Sequence, residues 1–393
     1  MAKFPPVLLL VNQEGISTQV LHCLRLLGIE VHLLAAPAAH FFRWSRYIRS
    51  FHRFGAWIEL AHRGRLLEIM RAIVRAHGIG FVIAADFEAG RMLASAERDL
   101  PIPIFPTSPP AILDAYHNKA SFLSLSRRSA VPIADYLVVP DKEDLCHGEL
   151  RARFGKHYVV KPCGEGNSNG VVYVSNEDAL VSEIIENPLY DYKDLLVSPY
   201  IPGRDVGLNV FVENGRVRVA VPQTRIGPTI RFIDCEALVE AVQPVMAMGH
   251  YTGVANLDAR LLRDGTVRVL ECNPRFWASL FASAVSGANF VEIGLRSVFD
   301  GRMPAVPSLV GKQVMPANNA LLCRVRGGKG AAISGETRRQ LGMTARDPIC
   351  WIAAELTYHW RKYRQRHAQA ALRRNARVQA TLAIAHNLRL RRA

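Results

Sequence analysis

The sequence lacks a CxxC pair, has no apolar run near the ~20 residues that span a bilayer, and carries no acid between 361 and 393. Its seven cysteines, at 23, 146, 163, 235, 272, 323 and 350, are odd in number and scattered. That count and scatter predict free thiols in a reducing cytosol. No GxGxxG follows the first predicted strand, where Asn12-Gln13-Glu14-Gly15 stands instead, so no dinucleotide site is expected there. No GK[ST] opens a helix, which excludes a Walker loop. The early apolar run Val7–Val11 has no small-residue cleavage site after it and reads as a buried strand, not a leader. Internal repeats are absent too. What remains is an ordinary globular composition, 49% hydrophobic and 21% charged over 393 residues, enough for two or three domains.

The net charge of +15 invites a nucleic-acid reading, but its distribution argues against one. Ten Lys or Arg fall within 361–393, leaving +5 for the other 360 residues. The excess is a basic tail, and no nucleic-acid partner is expected. A second basic stretch, Arg43, Arg46, Arg49 and Arg53 among aromatics, reads as a solvated face before an anion site.

Period and punctuation predict strands at 7–11, 29–35 and 80–85, and helices at 17–27 and 64–77, each helix stopped by a glycine. Alternating strand and helix means a doubly wound parallel sheet. Asp86 and Glu88 follow a strand end and read as helix N-terminal acids. The Pro-rich stretch 101–110 is a boundary, and a helix over 112–129 follows. From Tyr158 the pattern becomes α+β. Residues 349–393 read as basic, amphipathic helix.

Three segments carry chemistry. In YVVKPCGEGNSNGVVYV (158–174) a strand delivers Lys161 to a loop with Gly164, Gly166 and Gly170. Glycines let backbone N–H groups approach phosphate oxygens, and a lysine adds a point charge. In LLVSPYIPGRDVGLNVFVENGRVRVAV (195–221) a short extended segment, 198–201, precedes a turn and Asp205, and Asn214-Gly215 closes a hairpin. In VANLDARLLRDGTVRVLECNPR (254–275), Asp264-Gly265 signals a two-residue turn. Such a turn sets Asp258 opposite Glu271 and Asn256 opposite Asn273, all on one face, with Val267 and Val269 beside them. Opposed carboxylates repel unless a cation lies between them, and two carboxylates with an amide oxygen suit Mg²⁺.

In this order the three segments resemble the ATP-grasp superfamily over roughly residues 115–300, nearest to carboxylate–amine ligases of the biotin-carboxylase and carbamoyl-phosphate-synthase type. ECNPR (271–275) is the most specific motif. NPRFWASL followed by SGANF resembles a group of little-characterised ATP-dependent ligases. The resemblance implies an α/β doubly wound parallel-sheet domain (1–112), an α+β ATP-grasp core of two subdomains (113–195 and 196–305), and a helical basic C-terminal extension (306–393). It implies ATP and Mg²⁺, with Mn²⁺ as a substitute ion.

Residue by residue, it implies that Lys119 and Lys161 contact phosphate under a mobile loop containing Gly166, Ser168 and Gly170. Pro199, Tyr200 and Ile201 form the adenine hinge, and Asp205 holds ribose. Asp258, Glu271 and Asn273 hold the metal, and Arg275 faces the transferred phosphate. Three positions depart from the family pattern: Asn118, Asn167 and Pro199. None removes a metal or phosphate ligand.

The implied reaction is ADP-forming ligation through an acyl phosphate, joining a small-molecule carboxylate to an amine or thiol. The alternatives are a kinase-like phosphotransferase and a nucleotide-binding regulatory or scaffold protein. A cytoplasmic enzyme, with a homodimer open to it, is expected. The tail with Trp351, Tyr358, Trp360 and Tyr363 either packs on the core through its first half or touches the inner membrane face.

Overall fold

A computed structural model describes residues 4–166, 168–325, 333–360 and 362–364. The described residues fall into two compact units. The larger is drawn from 1–117, 121–133 and 202–354, the smaller from 118–120, 134–201 and 355–393.

The larger unit opens with β1 (Val7–Val11), α1 (Ile16–Leu26), β2 (Val31–Ala35), β3 (Ser50–Arg53), α2 (Arg63–His77), β4 (Phe81–Ala84) and α3 (Phe87–Ser95). The four strands are parallel in the order β3-β2-β1-β4. β1 reads VLLLV because both its faces are covered, as strands of parallel sheets usually are. Val7, Leu9 and Val11 join one core with α1, while Leu8 and Leu10 join another with α2. The chain winds from β1 to one side and then crosses to β4 on the other. The switch point lies outside the carboxyl ends of β1 and β4, where open α/β sheets bind ligands.

The predicted helix over 112–129 is two helices, α4 (Pro110–His117) and α5 (Lys119–Arg128), broken at Asn118. The Lys119 N–H donates to the Cys163 carbonyl, 2.9 Å away, instead of continuing the ladder of α4.

The smaller unit holds β5 (Leu137–Val139), α6 (His147–Phe154), β6 (Tyr158–Pro162), β7 (Val172–Val174), α7 (Glu177–Leu180) and β8 (Leu195–Pro199). Its antiparallel sheet has the order β5-β8-β6-β7. Tyr158 and Val160 on β6 point into a core with Leu150, Leu180 and Ile184. By the two-residue period, Val159 and Lys161 point to the opposite face.

The chain then returns to the larger unit through β9 (Arg204–Glu213), β10 (Arg216–Ile226), β11 (Thr229–Phe232), α8 (Glu236–Met248), β12 (Gly253–Leu261), β13 (Val267–Asn273), α9 (Leu280–Ser286), α10 (Phe290–Phe299) and β14 (Gln313–Val314). These strands make an antiparallel sheet in the order β13-β12-β9-β10-β11-β14. Asn214 and Gly215 both take positive φ, 48° and 78°, and close the β9–β10 hairpin as the sequence predicts. A Cβ at Gly215 would also lie 2.7 Å from the Ala247 Cα. After α11 (Ala317–Val325) and α12 (Gly335–Ala345), residues 348–360 are helical. The basic tail reading falls mainly on 361 and 365–393, outside the described residues.

Among the described residues no helix is long and apolar enough to cross a membrane. The seven cysteines are free thiols, with Cys146 exposed.

Candidate active site

In the smaller unit, Lys119 and Lys161 are both buried, 5% and 8% exposed. Lys119 starts α5, and its Nζ donates to the Glu165 carbonyl. Lys161 stands near the end of β6, paired with Leu196 of β8, on the sheet face away from the helical core. The glycine loop follows at once. Gly170 has φ 68°, and a Cβ there would lie 2.7 Å from both Pro162 Cγ and Tyr192 Cε2. Tyr190 Oη donates to the Gly170 carbonyl, 2.9 Å away. Ser168, exposed, takes φ 59°, and the Asn169 N–H returns to Gly166 O at 3.1 Å. Pro199 ends β8, the Tyr200 N–H donates to the His157 carbonyl at 3.0 Å, and the Tyr200 side chain is 41% exposed. Ile201 follows, partly buried.

In the larger unit, the predicted facing pair is present: Asp258 is the register partner of Glu271, and Asn256 of Asn273. The route there differs from the expected one. Near the turn the pairs are Leu261 with Val267 and Ala259 with Val269, one residue short of a two-residue turn. Arg263, Asp264 and Gly265 form a three-residue loop, with Gly265 at φ 85°. A bulge at Leu270 then adds one residue to β13 and restores the register at Glu271. The bulge corrects a second expectation. Val267 and Val269 lie on the opposite face from the acids, with Leu257, Ala259 and Cys272, all buried.

Across the sheet, Gln223, Gly207, Asp258 and Glu271 form one row, and Asn209, Asn256 and Asn273 lie in the next. Asn256 Nδ2 donates to Asn209 Oδ1 at 3.0 Å, and Asn273 Nδ2 to Asp258 Oδ2 at 3.3 Å. Gln223 exchanges hydrogen bonds with Ser279 Oγ at 2.7 and 3.1 Å. Asp205, strongly exposed, begins the same face of β9, and Arg260 Nε pairs with its Oδ1 at 3.2 Å.

Pro274 ends β13 and Arg275 turns back on it. Its Nη2 donates to Asn273 Oδ1 at 3.2 Å and its Nη1 to the Phe276 carbonyl at 2.9 Å. Burial pulls its pKa down from the ordinary value, and the charges of Asp258, Asp86 and Glu271 oppose that. A guanidinium stays protonated regardless. Arg275 thus stands between the acids of β12 and β13 and the end of β4.

Asp86 does cap α3, accepting from the Ala89 N–H at 3.1 Å. It also accepts from the Asn12 backbone N–H at 3.1 Å and from Asn12 Nδ2 at 2.9 Å. Asn12 is itself fixed by Ile58, through N–H and C=O bonds of 2.7 and 3.0 Å. Burial raises the Asp86 carboxyl above its usual range, opposed by the Asn12 bonds. A small cleft joins Asp86, Thr107, Pro274 and Arg275 at the switch point of the parallel sheet. Asn12 and Asp86 each end a strand, the one signal that marked them. Nothing local marks Gln223 or Ser279.

The donor set tests whether a metal fits. Asp258 and Glu271 offer hard oxygen ligands on one face, which suits Mg²⁺. Asn273 has its Oδ1 on Arg275 and its Nδ2 on Asp258, so it ligates only if that amide turns.

Comparison with known proteins agrees with this architecture. Residues 191–319 match the family described as ATP-grasp in the biosynthetic pathway with Ter operon. N5-carboxyaminoimidazole synthetase from Staphylococcus aureus superposes with a TM-score of 0.63 over 84% of this chain and 88% of its own, at 13% identity. This chain has the ATP-grasp fold. A second structural neighbour is the biotin carboxylase domain dimer of Hydrogenobacter thermophilus 2-oxoglutarate carboxylase, in complex with MgADP, ADP and bicarbonate. It has a TM-score of 0.60 over 79% of this chain and 73% of its own, at 14% identity. A D-alanine–D-alanine ligase of Anaeromyxobacter sp. (strain K) is 30% identical over 183 residues, 41% of this chain and 56% of the ligase. The chain thus spans about half the length of that curated relative.

Proposed function

We propose that this ATP-grasp protein is an ADP-forming carboxylate–amine ligase, with a thiol as the less favoured acceptor. The observation that carries the reading is the facing of Asp258 and Glu271 on one polar sheet face, with Arg275 between them and the switch point. A scaffold protein has no need of two opposed carboxylates beside a half-buried arginine. The relative named as a D-alanine–D-alanine ligase favours an amino-acid-like carboxylate and an amine acceptor.

In this reading Asp258 and Glu271, with Asn273 after its amide turns, hold Mg²⁺, or Mn²⁺ in its place. The ion would supply charge neutralisation on the nucleotide phosphates. Lys161 and Lys119 provide fixed positive charge to phosphate oxygens, at little reorganisation cost because both are already buried. Gly166, Ser168 and Gly170 present backbone N–H groups there. The Pro199 carbonyl and the Ile201 N–H read adenine, with Tyr200 beside them, and Asp205 takes the ribose once it exchanges its Arg260 partner. Arg275 orients the substrate carboxylate for attack on the γ-phosphate. An acyl phosphate and ADP result, and the amine then displaces phosphate. Positioning carries much of the rate.

The test is a substrate carboxylate labelled with heavy oxygen. Transfer of one labelled oxygen into the released phosphate supports the acyl phosphate. Unlabelled phosphate during productive turnover contradicts it, and a stable phosphate ester as product means the kinase-like chemistry instead.

A peripheral membrane contact has one observation in its favour. Ile349, Ile352, Leu356 and Trp360 are exposed on helix 348–360 at spacings of three and four residues.

A further inference from the structure

We propose that His32, His52 and His77 form a binding site for a divalent transition metal, Zn²⁺ by its ligand chemistry, at the N-terminal edge of the parallel sheet. His32 lies on β2 and His52 on β3. His32 is the register partner of Ser50, so by the two-residue period all three share one sheet face. α2 packs on that face and brings His77 in its last turn, just before the left-handed Gly78. One ligand atom from each imidazole lies within 4.8 Å of the other two. The His77 ring is 4.5 Å from that of His32 and 5.2 Å from that of His52, centroid to centroid.

Two of the nitrogens aim at one point. His32 Nδ1 is 2.6 Å and His52 Nε2 is 2.7 Å from the same Ser50 Oγ. A hydroxyl has one hydrogen, so it satisfies only one imidazole lone pair. A cation accepts from both once Ser50 rotates about χ1. The other nitrogen of His32, Nε2, lies 3.1 Å from Glu30 Oε1. A carboxylate behind a ligating imidazole is the usual outer support of a histidine–zinc bond, fixing the tautomer and raising basicity. His32 is 2% exposed, while His52 and His77 are only partly buried. The cluster is therefore anchored at its base and open to solvent for a fourth ligand. Burial, with neighbouring imidazoles and, at His32, Arg49, holds His32 and His52 below the ordinary histidine pKa. Their lone pairs are free of protons near neutrality. An all-imidazole set favours zinc, copper or nickel over Mg²⁺, which prefers oxygen. Because His32 and Ser50 stand near the strand starts, the site lies at the edge opposite Asn12 and Asp86. A structural or regulatory ion fits that position better than a catalytic one.

The test uses the full, untagged chain, stripped with chelator and titrated with ZnCl₂ by calorimetry in excess Mg²⁺, which occupies oxygen sites. About one zinc per chain is expected. The double variant His52→Gln/His77→Gln, changed only at the more open positions, is expected to lose at least ~tenfold in affinity. Its metal-free circular dichroism and its ADP release are expected to be unchanged. No zinc uptake by the native chain, or equal uptake and affinity in the folded double variant, overturns the site.

Discussion

Asp258 faces Glu271 across β12 and β13 because a three-residue turn and a bulge at Leu270 offset one another. Each departure shifts the register by one residue, in opposite directions. Without the bulge, a turn of that length would set Leu270 opposite Asp258 and move Glu271 out of register. Bulges recur beside active sites because they re-aim a side chain in this way. The two carboxylates share a face with Asn256 and Asn273, while the buried Val267 and Val269 secure the hairpin from behind.

Lys161 carries the phosphate side of the account. Lys161→Ala is expected to raise the KM for ATP by about tenfold or more, equivalent to the ~1.4 kcal/mol of a modest charge-assisted contact. Initial rates across ATP concentration read it. An unchanged KM removes Lys161 from the phosphate site.

The Asn12–Asp86 connection predicts a stability effect. Asp86→Ala removes the cap of α3 and leaves the buried Asn12 backbone N–H without an acceptor, while Asn12 Nδ2 keeps only its bond to the Ile58 carbonyl, at a cost of about 2–4 kcal/mol. Asp86→Asn keeps an oxygen for the Ala89 N–H and Asn12 Nδ2 but turns an amide N–H₂ toward the Asn12 backbone N–H. It is expected to cost about half as much. Urea unfolding midpoints measure both, and equal loss in the two variants would contradict this assignment of the bonds.

Much of this was legible in the sequence, for reasons that differ by region. β1 is readable because fully buried parallel strands are continuous apolar runs, β2 because only His32 interrupts its own, and α2 because Gly78 stops it. The Asp264-Gly265 turn signal points to the facing of Asp258 and Glu271, but the turn is one residue longer and the valines lie on the other face. A bulge has no local signature. The break at Asn118 was missed because its cause, the Cys163 carbonyl, lies far along the chain. Gln223, Ser279 and the His32–His52–His77 cluster were missed for the same reason: register and helix packing, not spacing, bring them together.

His22 sets an acid limit on the fold. It is buried against Phe281 and Tyr47, and burial lowers its pKa from 6.5 to about 4. The unfolded chain takes up a proton near 6.5 and the folded one only near 4. Stability from this residue is therefore complete above the first value and is lost as pH falls toward the second, by about 3 kcal/mol. His22→Leu is expected to flatten the pH dependence of unfolding free energy across that window. Parallel slopes for variant and native chain would show that His22 does not set it.

The most direct measurement is ADP release by the native chain and by Glu271→Gln, with carboxylate and amine supplied separately and together. The account predicts rapid release from the native chain only when both substrates are present, and a loss of about a hundredfold or more in the variant. Circular dichroism and melting temperature should be preserved, because Glu271 and Gln share shape on a half-buried face. Full activity in Glu271→Gln, or ADP release by the native chain that ignores both substrates, would contradict the ligase and its metal face.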